Sequence, residues 1–183
     1  VNDGGAGSNL FVRTFTVTVN GVNDVPTLNP IADLAINQDA EQQAVTLTGI
    51  SSGASNEFQT LTITATPSSP GLIPTPKIIH TSPDTSGTLR FPPVAGMRGS
   101  PTIPVTVNDG GTTNNTVPRS FTVSVNGLPT ITAIPNQIIV TNLNTGPLPF
   151  VIGDPDTPLG NLTLPVDSSA PAPVPLAKFR LGG

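Results

Sequence analysis

The chain has no cysteine, no tryptophan and no tyrosine. Without thiols there are no disulfides and no thiolate metal centres, and the redox compartment stays open, since cysteine-free chains occur inside and outside cells. Charge is scarce as well, at 10% of residues against a typical ~25%. The net charge is −4, the pI is near 4.6, and no basic patch appears, which argues against a nucleic-acid partner. No apolar run approaches the ~18 residues of a membrane span. The one histidine, His80, offers no partner set for acid–base work.

What is abundant is proline (22) and glycine (18), set between short runs of Val, Ile, Leu and Thr. Many short alternating runs with Pro/Gly-rich turns predict a sandwich or barrel rather than disorder. Aromatics are 4% of residues, all of them Phe, so the core must be aliphatic with Phe as its largest filler.

One strand appears twice. Residues 13–20 read Arg-Thr-Phe-Thr-Val-Thr-Val-Asn, and residues 119–126 read Arg-Ser-Phe-Thr-Val-Ser-Val-Asn. In the first copy Phe15, Val17 and Val19 face one way and Thr14, Thr16 and Thr18 the other, the period of a half-buried strand. The preceding turn repeats too, since Val1-Asn2-Asp3-Gly4-Gly5 matches Val107-Asn108-Asp109-Gly110-Gly111. The offset is 106 in both cases (Phe121 minus Phe15, Val107 minus Val1). A period that long is a whole domain, not a solenoid unit of roughly 20–50 residues.

Between the copies, strands are predicted at about 31–37, 43–50, 60–66, 76–82, 87–92, 102–108 and 119–126. Seven strands in roughly 100 residues indicate an immunoglobulin-type sandwich. Pro104, inside one of them, predicts an edge strand or a bulge. A third unit begins where Leu128-Pro129-Thr130 repeats Val25-Pro26-Thr27. Ile134 then matches Ile31, and Leu162-Thr163-Leu164 matches Leu61-Thr62-Ile63. Pro175, Lys178 and Phe179 match Pro74, Lys77 and Ile78, and Pro171–Pro175 reads as an extended connection. The expectation is all-β: the last strand of a partial sandwich in 1–22, a complete sandwich in 23–127, and the first strands of another in 128–183.

The phrases RTFTVTVNGVNDVPTL (13–28), TLTGISSG (46–53), LTITATPSSPGLIP (61–74), VTVNDGG (105–111) and GDPDTPLGNLTL (153–164) resemble the cadherin-like and immunoglobulin-like tandem repeats of very large bacterial surface or secreted proteins. That resemblance implies a head-to-tail string of sandwiches outside the cell, acting as a stalk, adhesin shaft or fibre. It also implies calcium between domains, held by an Asn-Asp linker, a DxD pair and loop carboxylates. Asn23-Asp24 resembles the linker and Asp154-Pro155-Asp156 the DxD pair. Sandwich topology groups Asp24 with Glu57 and Asp109. Each junction is incomplete: the first lacks the DxD and the second, Asn126-Gly127-Leu128-Pro129, lacks the linker Asp. The alternative for Asp24, Asp109 and Asp154 is plain turn chemistry, with the side chain bonding its own backbone.

Other motifs are weaker. Gly49-Ile50-Ser51-Ser52-Gly53 fits the G-x-S-x-G string, but no helix pattern follows to build a nucleophile elbow. Asn114-Asn115-Thr116 and Asn161-Leu162-Thr163 are glycosylation sequons. Together these features predict a non-catalytic structural repeat protein, extracellular or on the cell surface. Its partners are neighbouring copies of itself and, through loops such as 51–59 or 109–118, a cell-surface or matrix ligand. An adhesin module and an accessory repeat of a large secreted enzyme are the alternatives. The partial ends allow two arrangements: complementation between molecules, or, the favoured one, a chain that continues at both ends.

Overall fold

The computed structural model describes residues 1–8, 10–18, 21–140, 143–169 and 174. Seven strands form two sheets between residues 34 and 126. They are β1 (Leu34–Asn37), β2 (Gln43–Thr48), β3 (Thr62–Ala65), β4 (Lys77–Ile79), β5 (Ser86–Phe91), β6 (Thr102–Asn108) and β7 (Thr116–Asn126). One sheet has the order β1-β7-β6-β3 and the other β2-β5-β4. All neighbours are antiparallel except β1, which runs parallel to β7 with Leu34 beside Val123.

The chain first bonds to the smaller sheet, where the Thr27 N–H donates to the Ser51 carbonyl (2.9 Å) and Asn29 to Thr48 (2.9 Å). It then crosses to become β1 of the larger sheet. A first strand shared between two antiparallel sheets of three and four strands is an immunoglobulin-like sandwich.

The core follows from alternation. Leu47, Leu89 and Phe91 of the smaller sheet meet Ile103, Val105, Val107, Phe121, Val123 and Val125 of the larger, all fully or almost fully buried. Leu72 and Ile73, which fall between the strands expected at 60–66 and 76–82, also join the core. A turn places them there, in which both N–H groups donate to the Ser69 carbonyl at 3.0 Å. Val94 in turn donates to the Leu72 carbonyl at 2.8 Å.

Pro104 corrects the expectation of an edge or bulge. Its strand, β6, lies inside the sheet between β7 and β3. Its carbonyl accepts from Thr66 N–H at 3.3 Å, so its nitrogen points the same way, just beyond the last β3 rung at Ala65. The missing N–H thus falls where that ladder stops rather than on an outer edge.

The strand expected at 11–20 is also corrected. Residues 11–18 form no strand, and Phe15 and Val17 are 88% and 69% exposed. Only the hairpin closure forms, with Val1 and Phe11 exchanging backbone bonds of 2.8 and 2.9 Å and Asn2 bridging Leu10. That register is the one by which Val107 and Asn108 pair Val117 and Thr116. Phe121 is covered because β7 lies between β6 and β1, whereas among the described residues no strand flanks Phe15. Val19 and Asn20 lie outside the described residues.

The third unit begins as the central one does. Strands β8 (Thr130–Ile131) and β9 (Ile152–Gly153) pair antiparallel, Thr130 opposite Gly153, echoing Thr27 opposite Ser51. A single 3-10 turn follows at Leu159–Asn161. Residues 162–164 form no strand, contrary to their match with 61–63. Among the described residues no sheet covers apolar side chains such as Ile138 (100%) and Val151 (68%). The matches at Pro175, Lys178 and Phe179, and most of the 171–175 connection, lie outside the described residues.

Candidate functional site: the linker junctions

The candidate carboxylates gather at the two linkers, as the sandwich topology predicts. At the first junction the Asp24 N–H donates to Glu57 Oε1 at 2.9 Å. The loop carrying Glu57 is closed by its own bonds: the Glu57 N–H donates to the Ala54 carbonyl (3.1 Å), and Ser52 Oγ donates to the Glu57 carbonyl (2.9 Å). Gly53 is the point of closest approach. Its φ is +116°, and a Cβ there would lie 2.8 Å from Asp24 Cβ and 2.9 Å from the Val25 carbonyl.

Asn23 plugs the β6–β7 turn. Its Nδ2 donates to the Thr113 carbonyl (3.0 Å) and to Asp109 Oδ2 (3.1 Å), and its Oδ1 accepts from Gln59 Nε2 (2.8 Å). Asp109 is 3% exposed, and its other oxygen accepts the Gly111 N–H at 2.8 Å. A Cβ on Gly111 would lie 2.6 Å from Asn23 Cγ, so the turn is shaped around the linker side chain. The sequence names Asn23 only within the Asn23-Asp24 linker pair and Gly111 only within the repeated turn, and nothing in it points to Gln59.

The second junction repeats the arrangement. The Gly127 N–H donates to Asp156 Oδ2, and Asn126 Nδ2 donates to the Gly127 carbonyl (2.8 Å), as Asn23 Nδ2 does to the Asp24 carbonyl (3.1 Å). Asp156 also faces Arg98 Nε at 4.0 Å, a half-exposed pair of small energetic value. Asp154 caps its own turn, accepting from Asp156 N–H (2.8 Å) and Thr157 N–H (2.6 Å). Those donors, the Asp156 amide foremost, hold its carboxyl below the ordinary Asp value. Gly127 is buried, and a Cβ there would overlap Pro155 and lie 2.8 Å from Asp156 Oδ2.

A calcium shell needs six to eight converging oxygens. Here Glu57, Asp109, Asp154 and Asp156 each accept from N–H groups, and Asp24 contributes a backbone N–H to the contact. Among the described residues no three His, Asp or Glu side chains converge as a metal site. Gln59 Oε1 is the only buried side-chain oxygen without a partner among them, and one oxygen does not make a shell. The residues as arranged do not fit calcium.

The G-x-S-x-G string runs from the end of β2 into the loop, and no helix follows it. Ser51 Oγ bonds Thr27 Oγ1 (2.7 Å), while His80 Nε2 meets the Asp84 carbonyl (2.9 Å). Ser51 and His80 therefore both have other partners. The sequon residues Asn114 and Asn161 are exposed.

No family model and no curated protein matches the chain. Several solved structures do. The titin M3 domain is 13% identical, with a TM-score of 0.38, over 55% of this chain and 95% of that one. Tandem Ig repeats of Dlar are 15% identical, with a TM-score of 0.37, over 60% of this chain and 55% of that one. Domains 1–6 of the surface layer protein SbsC are 19% identical, with a TM-score of 0.34, over 78% of this chain and 23% of that one. The fold of residues 23–127 stands on its own strand order and register: it is an all-β, immunoglobulin-like sandwich set within a tandem repeat.

Proposed function

We propose that this chain is part of a structural shaft: immunoglobulin-like sandwiches joined head to tail, outside the cell, with no catalytic role of its own. The observation that carries the reading is the repeated junction. At both linkers a loop carboxylate, Glu57 or Asp156, accepts a linker N–H, from Asp24 or Gly127. Each contact ties the entering chain to the same loop of the unit it enters.

Composition supports the same reading. Pro26 is fully buried at the start of the central unit, and a short linker ending in a buried proline resists bending. A sparsely charged, Thr-rich surface suits a passive spacer. The longest strand, β7 with 11 residues, at ~3.3 Å per residue and running along the shaft, gives a unit a length of roughly 35–40 Å.

Cell-surface placement is tested by gold-labelled antibody against residues 23–127 on intact and on permeabilised cells. Equal labelling of both supports an external shaft. Label confined to permeabilised cells contradicts it.

A further inference from the structure

Cations are few in this chain, with seven Lys and Arg in 183 residues. Two of them, Lys77 of β4 and Arg90 of β5, stand directly opposite each other on the outer face of the three-stranded sheet, and both are exposed. Opposed side chains in an antiparallel pair have Cβ atoms ~4.5–5.5 Å apart, and like charges at that spacing destabilise the sheet. Arg98–Asp156 is the only ion pair among the described residues, so neither cation has a carboxylate partner. The carboxylates that border these strands in sequence lie beyond the strand ends. Asp39 and Glu41 precede β2, Asp39 accepting the Gly96 N–H at 2.7 Å, and Asp84 lies in the turn between β4 and β5.

No outward position of β2, β4 or β5 is acidic. Beside the cations runs a row in which Thr46 faces Thr88 and Thr88 faces Ile79, which is 44% exposed. The sequence repeats the charge. Lys178 matches Lys77, and in the same alignment Arg180 takes the place of Ile79, also an outward position of β4. Lys178 and Arg180 lie outside the described residues. Four of the chain's seven cations thus belong to this one face or to its repeat. A repulsive pair that recurs calls for a ligand of opposite charge.

We propose that the outer face of the β2-β5-β4 sheet binds a linear polysaccharide bearing carboxylates, with Lys77 and Arg90 holding one uronate group between them. The guanidinium fork matches a carboxylate in two parallel bonds, and the Lys ammonium adds a point charge. A carboxylate placed between the cations also removes their mutual repulsion. Thr hydroxyls both donate and accept, as sugar hydroxyls do, and Ile79 meets the C–H face of a ring. The net charge of −4 repels a polyanion from the rest of the surface, so this face sets the orientation. One unit binds weakly, and successive units engage successive groups of one polymer. The inference rests on the shaft reading for its external placement and for that repetition.

Isothermal titration calorimetry at low ionic strength tests this, with alginate as the carboxylate polymer, dextran as the neutral one and duplex DNA as a polyanion of another class. The 183-residue chain carrying Lys178→Gln and Arg180→Gln is the reference, so that the central face is read alone. The reference is expected to bind alginate, more weakly as salt is added, and to ignore dextran. Adding Lys77→Gln and Arg90→Gln should weaken alginate binding roughly tenfold. Thermal unfolding of that variant should be unchanged or raised, since a repulsion is removed. Adding Arg13→Gln and Arg98→Gln instead makes the same change in net charge and should leave binding as in the reference. A reference that does not bind alginate overturns the proposal. So do equal losses in both variants, dextran bound as tightly as alginate, or DNA bound more tightly than alginate. Electron microscopy of native material separates the two claims: strings without alginate binding keep the shaft and remove this site, whereas binding by compact particles removes the shaft alone.

Discussion

Glu57 accepts the backbone N–H of Asp24 at 2.9 Å, across 33 positions of sequence. The bond fastens the linker to the loop between β2 and β3, and Asp156 does the same for Gly127. Removing the carboxylate should loosen the linker while leaving the sandwich intact. Glu57→Ala is expected to cost about 1 kcal/mol, the scale of one partly exposed charge-assisted hydrogen bond. Hydrogen exchange at the Asp24 amide should accelerate, with the β6 and β7 amides unchanged. Equal acceleration throughout would mean that the carboxylate supports the whole fold.

Gly127 tests the second junction by volume. A methyl group there overlaps Pro155 and crowds Arg98 Cδ at 3.0 Å. Gly127→Ala should therefore push the 154–157 turn away and weaken the β8–β9 pairing. Amide chemical shifts at Thr130 and Gly153 should move, while the unfolding midpoint of the central sandwich stays within a degree or two.

The repeated strand contains its own control. Phe121 is 2% exposed and Phe15 is 88% exposed, in nearly identical local sequence. Phe121→Ala should destabilise by ~3–5 kcal/mol through the cavity it leaves. Phe15→Ala should change stability by no more than about 0.5 kcal/mol. Comparable losses by thermal unfolding would show that 13–18 is packed after all.

Asp154 gives a pH dependence. Its folded carboxyl lies below the ordinary value of 3.8, because the Asp156 and Thr157 amides favour the ionised form. A depressed folded value contributes stability that is complete above the unfolded value and is lost as pH falls through the folded one. The 154–157 turn should thus be unaffected from neutrality down to the ordinary value of 3.8 and should loosen only as pH falls below it. Asp154→Ala, which removes the acceptor, should already show the opened turn at neutral pH. The readout is the Thr157 amide shift.

The fate of the two strand copies shows what sequence pattern can and cannot convey. Asn2 and Asp3 accept from Gly4 and Gly5 at 2.8 and 3.0 Å, and Asn108 and Asp109 accept from Gly110 and Gly111 at 2.6 and 2.8 Å. The double turn forms in both places because its chemistry spans two residues. The strand after it forms only where β6 and β1 flank it, since alternation states which face wants burial and not whether a partner is present. All seven strands of the central unit were legible for that reason, within a few residues at their ends. Leu72 and Ile73 were not, because a turn closing on the Ser69 carbonyl has no hydrophobic period.

The candidate site was legible in place but not in role. Carboxylates at Glu57, Asp109 and Asp156 do sit at the linkers, as sandwich topology requires. Their partners are backbone and side-chain N–H groups, and spacing alone does not distinguish an N–H acceptor from a calcium ligand. Asn23 was passed over in favour of Asp24, although it is the linker side chain that enters the next unit.

The central proposal is that such units are joined into a shaft by latched linkers, and that these hold without metal. Negative-stain electron microscopy of the native material, with and without EDTA, tests it most directly. The account predicts extended strings with a repeat of roughly 35–40 Å per unit, unchanged by EDTA. Compact particles, or strings that collapse when calcium is removed, would contradict it.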